Sequence, residues 1–347
     1  MGGVRWNTLA QWVGIVAIAG AVLFAPGTVA RADSGTVAWL APTPTPGSVV
    51  NASAGTRLRV ELGATSAMTT AVVHIAPIGK LPAGARLSST DGNPARAVLT
   101  WRPAGRQIGS HTIRFKAVDN SPARQLAPPL SLVTRVRAGV VQLSAGNVSH
   151  WAFLMRKAVV RAAPSINSYA KTRLSIWTPE YYPNLALALQ ERIDRDGTWV
   201  QIRLPILPNG STGWVKRAVL GGLHIMHDHL YVYRASTRAV LTRNGVPIFT
   251  TRVGVGKSFW PTPAGEFYIR EEMTGFHAAA YGPVAFGTSA RSAVLTDWPG
   301  GGYIGIHGTN APGLIPGHIS HGCIRLRNAA ILRLARLIGV GTPLTIR

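Results

Sequence analysis

Between Val49 and Val136, apolar and polar positions alternate in short runs. Leu58-Arg59-Val60-Glu61-Leu62 changes character at every step, and Thr112-Ile113-Arg114-Phe115-Lys116-Ala117-Val118 alternates as far as Ala117. A period of two marks a strand with one buried face. Asp91-Gly92-Asn93-Pro94 and Asp119-Asn120-Ser121-Pro122 break these runs with turn chemistry. Strands at this spacing predict a β-sandwich, with Trp101 in its core. The Pro/Thr run from Pro42 to Gly47 reads as a linker ahead of it.

From Val148 to Leu220 the texture changes. Asp196-Gly197 is a turn leading into the strand Thr198–Ile202, and Gly213-Trp214-Val215 follows the turn residues Asn209-Gly210-Ser211. Trp199 and Trp214 are expected to pack in a core or at an edge. Beyond Gly221, Leu230 to Tyr233 alternates as a strand. An Asn-Gly turn at Asn244-Gly245 is expected to join it to Ile248–Val253 as a hairpin. A helical period appears only near the end. Asn328 is expected to cap a helix with Ile331, Leu334, Ala335 and Ile338 on one face, and Gly339 to stop it. Thr345-Ile346 reads as a closing strand. The expected class is mainly β and multidomain: a β-sandwich over 33–140, a small barrel-like module over 141–220, and a β-rich domain over 221–347 with one or two short helices.

Composition supports turns over helices, with 38 Gly and 24 Pro in 347 residues. The formal charge is +23, from 36 Lys and Arg against 13 Asp and Glu. Such a balance attracts anions, and anionic cell-wall polymers are one partner class it allows. The basic residues are spread along the whole chain, which fits a general preference for Arg better than a binding stripe. No motif with interleaved aromatics argues for nucleic acid.

The N-terminus changes the picture more. Arg5, the short apolar run Val13 to Phe24 and the small-x-small site Ala30-Arg31-Ala32 read as an export signal over 1–32, cleaved near Asp33. The apolar run is shorter than the roughly 20 residues that span a bilayer. No later segment is long enough, so an exported protein of the cell envelope, without a stable membrane span, is expected. Outside the cytoplasm a single cysteine, Cys323, has no internal partner, which makes it a candidate reactive thiol.

Its neighbours carry the chemistry. Ile306-His307-Gly308-Thr309-Asn310 is followed by a loop and then by Ser320-His321-Gly322-Cys323-Ile324-Arg325. A thiol becomes a good nucleophile when a base takes its proton. Three histidines precede it, His307, His318 and His321, and proximity along the chain does not choose between them. Gly322 permits a tight turn whose N–H groups face an oxyanion. Arg325 supplies positive charge for a carboxylate or for the thiolate. His224, His227 and His229 lack the cysteines or clustered carboxylates of a metal set. No metal or organic cofactor is expected.

These residues resemble the catalytic signature of the L,D-transpeptidases, in the order His307-Gly308, then Ser320-His321-Gly322-Cys323-Ile324-Arg325-Leu326. Val255-Gly256-Lys257, Thr262-Pro263-Ala264-Gly265-Glu266-Phe267 and Ile304-Gly305-Ile306-His307 match as well. The resemblance covers nearly all of the third region. It implies a peptidoglycan-remodelling enzyme whose cysteine attacks a donor tetrapeptide stem, releases D-alanine and passes the acyl group to an acceptor amine. Stem peptides are the implied partners. It implies Cys323 as nucleophile, His307 as base and the Gly308 carbonyl as the group that orients the imidazole. No Asp or Glu lies between His307 and Arg347, which fits a triad completed by backbone. The N–H groups of His321, Gly322 and Cys323 form the implied oxyanion hole. Ser320 is a supporting and candidate substrate-binding residue, with Arg325, Tyr281 and Tyr303 as further candidate substrate contacts. His318 matches no catalytic position and reads as a loop residue. Ala330 stands where many members carry an acid.

The stretch Arg270 to Gly302, with Tyr281-Gly282, Phe286-Gly287 and Trp298, reads as a lid over the acyl groove. The two upstream regions resemble the immunoglobulin-like modules of bacterial surface proteins and the small bacterial Src-homology-type barrels. A carboxypeptidase that trims stems with water would use the same residues. A non-catalytic wall-binding protein is the alternative from another class. Papain-type enzymes and wall amidases place the cysteine before the histidine, opposite to the order here.

Overall fold

The computed structural model describes residues 36–274, 278–295 and 302–347. The export-signal segment and Trp298 lie outside the described residues. The chain is mainly β and built from several sheets, with one α-helix, Asn328–Ala335, among the described residues. No helix among them is long and apolar enough to cross a membrane.

Two four-stranded sheets come first. One runs Val37–Leu40, Leu58–Ser66, Ala95–Trp101, Arg86–Thr90 and the other Val49–Ser53, Leu130–Arg137, Gly109–Asp119, Val73–Ile78. The alternating positions point inward as their period requires. Val60, Leu62, Leu99, Phe115 and Leu132 share one core with Trp101, which is 1% exposed. The Pro/Thr run is not a linker. Val37–Leu40 ahead of it pairs antiparallel with Leu58–Ser66, and the Thr43 hydroxyl donates to the Gly63 carbonyl at 2.9 Å. The run is a turn inside the sandwich, because its flanking strand finds a partner over twenty residues away.

The next sheet has eight strands and centres on Leu185–Asp194, with Gly197–Arg203 and Thr212–Lys216 beside it. Trp199 is buried with Lys216 Nζ 4.3 Å above its ring. The strand His224–Met226 joins this sheet through Ser149–Phe153.

A ten-stranded sheet holds the rest. Its order is Val246–Arg252, Arg238–Arg243, Asp228–Tyr233, Pro343–Ile346, Gly265–Thr274, Val284–Arg291, Tyr303–His307, Ile324–Arg325, Gly254–Gly256, Gly317–Ser320. The Asn-Gly turn forms, with φ of 52° at Asn244 and 81° at Gly245. It joins Val246–Arg252 to a strand the periodicity missed, Arg238–Arg243, and not to Leu230–Tyr233. Ala239, Val240 and Leu241 are a continuous buried run there, so alternation is absent. The helix buries Ile331 and Leu334 as expected. Asn328 does not cap it. Asn328 is its first residue, and its side-chain oxygen accepts from the Thr309 N–H at 2.9 Å. A local competition between cap and loop is decided by the orphan donor in the loop.

The lid reading fails for the strand Val284–Arg291 within that stretch, and residues 275–277 and 296–301 of it lie outside the described residues. Val284–Arg291 pairs antiparallel with Gly265–Thr274, and Val284, Phe286 and Ala290 sit in the central core. These apolar side chains bury more surface in a sheet than a solvent loop allows.

The middle sheet grips the ten-stranded one at several points. Trp151, Leu185, Leu187 and Tyr268 form a small shared core, and Tyr268 Oη donates to the Leu185 carbonyl at 3.3 Å. Asn209 clamps Arg291 in both directions, at 2.7 and 3.0 Å, and Tyr303 Oη donates to the Pro205 carbonyl at 3.1 Å. A Cβ on Gly341 would collide with the Trp151 indole. With Gly341 at φ of 82°, Gly341→Ala is therefore expected to cost about 1–3 kcal/mol or more, through backbone strain together with overpacking of this junction. Urea melts followed by tryptophan fluorescence check it, and an unchanged midpoint would mean the two sheets yield easily.

Candidate active site

Short parallel pairing brings the chemistry together. Tyr303–His307 lies beside Ile324–Arg325, with Ile306 opposite Ile324 and His307 opposite Arg325. Ile304, Ile306 and Ile324 anchor both strands in the core. Cys323 is thereby delivered next to the histidine strand, although sixteen residues separate them in the chain. The intervening loop needs only to return the chain in the same direction.

The sulfur and the imidazole meet around Gly305. The Gly305 N–H points at Cys323 Sγ, 3.4 Å away. A Cβ on Gly305 would lie 3.7 Å from His307 Cδ2 and 3.8 Å from Cys323 Sγ. The residue therefore sits between base and thiol, close to both, while donating to the sulfur. A lone glycine inside a strand was the sequence signal for such a close approach.

His307 is 3% exposed, and its Nδ1 lies 2.7 Å from the Gly308 carbonyl. A carbonyl only accepts, so Nδ1 carries the hydrogen and Nε2 is left with the lone pair. Burial holds the imidazole down at about 4; the Gly308 bond opposes this and the Arg325 charge adds to it. Burial also pushes the Cys323 thiol up, against the Gly305 N–H and the Arg325 charge, which bring it down. Near neutral pH the site thus holds a neutral imidazole beside a neutral thiol, and not a preformed ion pair.

The turn before the cysteine is braced from beneath. Ser320 is fully buried; its hydroxyl donates to the Cys323 carbonyl at 2.6 Å and accepts from the Gly322 N–H at 3.1 Å. Gly322 has φ of 118°, and a Cβ there would lie 2.8 Å from Ile304 Cδ1. Only glycine takes that conformation without strain. Thr262, 1% exposed and outside the expected site, holds the far side. Its Oγ1 donates to the Gly322 carbonyl at 2.7 Å and accepts from the Gly256 N–H at 2.8 Å. Trp260 lies against His321, ring centroids 4.1 Å apart.

A pocket of about 250 Å³ opens over the sulfur. Cys323, His307, His321, Arg325, Tyr281 and Tyr303 all line it. Tyr281 stands 4.9 Å from the His307 ring on the single turn Ala279–Tyr281. Tyr303 is held as a wall by Pro205 and by Arg270, whose guanidinium lies 4.0 Å above its ring. Ser320, Gly308 and Gly322 do not line the pocket; they support those that do. His318 is on the strand Gly317–Ser320, not in a loop, and lines a separate cavity. Of the upstream histidines, His224 stacks on Trp151, and His229 Nε2 lies 2.7 Å from Thr345 Oγ1. Among the described residues no three His, Cys, Asp or Glu side chains gather as a metal set.

Residues 227–346 match the family model YkuD, the L,D-transpeptidase catalytic domain. The chain is similar to the L,D-transpeptidase YkuD of Bacillus subtilis (strain 168), with 35% identity over 120 residues. That alignment covers 34% of this chain and 65% of the relative. A counterpart from Bacillus licheniformis is 37% identical over 99 residues, 28% of this chain and 52% of the relative. The chain therefore spans about two thirds of the first relative's length and about half of the second's. Among solved structures it is similar to the catalytic domain of an E. faecium L,D-transpeptidase, at 22% identity and a TM-score of 0.27. That match covers 34% of this chain and 95% of the other. It is also similar to an L,D-transpeptidase from Mycobacterium smegmatis, at 13% identity and a TM-score of 0.26, over 90% of this chain and 99% of the other.

Proposed function

We infer, from the membership of residues 227–346 in the YkuD family of L,D-transpeptidase catalytic domains, that this chain joins peptidoglycan stem peptides through an acyl-enzyme on Cys323. The observation that carries the reading is the thiol and the buried, backbone-oriented imidazole set around the side-chain-free Gly305. The enzyme works after export, at the cell wall.

His307 Nε2 takes the thiol proton as sulfur attacks the stem carbonyl, and the Gly305 N–H supports charge developing on sulfur. The tetrahedral oxyanion is met by the His321 and Cys323 N–H groups. The Gly322 N–H, another of the donors expected from the sequence, is held by the Ser320 hydroxyl at 3.1 Å. Collapse breaks the amide bond, and the D-alanine amine leaves with the proton held by His307. An acceptor amine, that of a second diaminopimelate residue, then attacks the thioester, gives a proton to His307 and frees Cys323. Arg325, Tyr281 and Tyr303 line the way in, and Arg325 is suited to a stem carboxylate.

Incubation with a carbapenem followed by intact mass tests the nucleophile. One adduct on wild type and none on Cys323→Ala is expected; an unmodified folded wild type would overturn the reading. Defined tetrapeptide muropeptides test the reaction: dimers with released D-alanine are expected, whereas trimmed monomers alone would make it a carboxypeptidase.

Thr262 is a positioning residue in this scheme. Thr262→Val removes the bond that holds Gly322, and about a 10- to 100-fold loss in kcat with little change in KM is expected, as for an interaction felt mainly in the transition state. Thr262→Ser should restore most of it. Equal loss in both variants would point to packing of the methyl group as the cause.

A further inference from the structure

The larger cavity lies on the other side of the loop that braces the Cys323 turn. It encloses about 610 Å³ and is lined by Arg234, Lys257, Phe259, Thr262, His318 and Arg347, among others. None of its lining residues is Asp or Glu. Three of them carry a fixed positive charge, and His318 adds a fourth basic group. Its Nδ1 lies 3.2 Å from the Gly256 carbonyl, so that nitrogen is the donor.

Arg234 is the most telling group. Its Nη1 donates to the Thr262 carbonyl at 3.0 Å, which fixes the guanidinium, while its buried Nε has no hydrogen-bond partner. The Arg347 backbone oxygen is held by the Arg234 N–H at 2.8 Å. A buried guanidinium donor without an acceptor is costly. Cations gathered with no Asp or Glu among the lining residues repel one another. Both costs are relieved by one ligand, an oxyanion with several acceptor atoms. Phe259, 62% exposed at the cavity, adds an apolar surface for the carbon part of such a ligand.

We propose that this cavity binds a phosphate-bearing chain, with Arg234 and Lys257 as its principal contacts. Guanidinium matches the geometry of phosphate oxygens, and an ammonium on a flexible stem follows the next charge along. The volume is in the range of ligand sites and exceeds what a single phosphate fills. The site is independent of the chemistry proposed for Cys323. It does touch the same scaffold, since Thr262 lies at the cavity and also holds the Gly322 carbonyl. The overall charge of +23 draws polyanions to the whole surface; this cavity is where their binding becomes specific.

Calorimetric titration of the whole mature chain at about 0.15 M salt, where surface attraction is screened, tests the site. The probes are inorganic tripolyphosphate, a glycerol-phosphate oligomer, and citrate as a carboxylate of similar charge. Arg234→Gln with Lys257→Gln is expected to weaken tripolyphosphate by about tenfold or more, the loss of two charge-assisted contacts. Lys257→Glu alone, at a partly exposed side chain, gives a second reading should the double variant fold poorly; about a threefold loss or more is expected there. Arg114→Gln with Arg135→Gln, two exposed positions on the sandwich, controls for net charge and should change affinity by less than about twofold. Binding of the glycerol-phosphate oligomer supports a phosphodiester polymer as the source, and binding of tripolyphosphate alone supports a free oligophosphate. Equal losses in the cavity and control variants, or citrate binding as tightly as tripolyphosphate, would overturn the proposal.

Discussion

His307→Gln is expected to slow acylation of Cys323 by a carbapenem by about 10²- to 10⁴-fold, the usual worth of a placed general base. The reason lies in the resting charges. Burial holds the imidazole at about 4 and pushes the thiol up, so very little thiolate exists before the substrate arrives. Proton transfer has to accompany attack, and glutamine accepts no proton. The pH profile tells this apart from mere damage to the pocket. Wild-type acylation should hold its rate down through weakly acidic pH and fall only as pH drops through about 4. The variant should instead gain about tenfold per unit of rising pH, as solvent base generates the thiolate. An acid limb near 6.5 in wild type would mean that the imidazole is solvated and the proposed mechanism is wrong.

The same burial has a cost in stability with a definite sign. An unfolded histidine binds its proton near 6.5, while folded His307 does so only near 4. The unfolded state therefore holds more protons between those values, and stability declines as pH falls from about 6.5 to about 4, by about 3 kcal/mol. His307→Gln should flatten that part of the curve. Denaturation at pH 7 and pH 4.5, with both proteins side by side, measures the difference.

Arg270→Ala is the second large effect, about 3–5 kcal/mol of destabilisation. Arg270 is 2% exposed, with Nη2 3.6 Å from Glu180 Oε2 and Nη1 4.0 Å from Glu271 Oε1. Its removal strands Glu271, itself 2% exposed, and withdraws the cation from the Tyr303 face. Burial already raises the Glu271 carboxyl, and the Arg270 charge is the strongest influence holding it down. In the variant the carboxyl rises further. A folded pKa above the unfolded one gives stability that is present in acid and lost as pH rises through the folded value. The deficit should therefore be larger at pH 8 than at pH 5. Arg270→Met with Glu271→Gln should recover part of the loss, because it removes the fully buried pair together and leaves only the more exposed Glu180 without its cation. Equal deficits at the two pH values would show that a stranded carboxylate is not the cause.

Much of this was readable along the chain. Alternation at Leu58–Leu62 and Thr112–Ala117 reports a buried face directly, because side chains on a strand change sides at every residue. The helical spacing of Ile331, Leu334 and Ile338 does the same for the helix. The order His307-Gly308, then Ser320 to Leu326, led to the family that residues 227–346 match. Chain-wise reading failed where the answer depended on a partner far away. Asn328 looked like a cap, yet its oxygen serves Thr309 across the loop. Pro42 to Gly47 looked like a linker, yet the strand before it belongs to the sandwich.

What the sequence by itself determined is which faces are buried, where turns fall and which residue types gather near the single cysteine. What only the tertiary structure decided is who meets whom. The parallel pairing of Tyr303–His307 with Ile324–Arg325 sets Gly305 between base and thiol, Thr262 locks the turn from the other side, and Pro205 and Asn209 of the preceding sheet brace Tyr303 and Arg291. The physical reason is one of range. Periodicity is a property of neighbours in the chain, whereas hydrogen bonds, burial of charge and pKa depend on groups brought within a few ångströms by the fold as a whole.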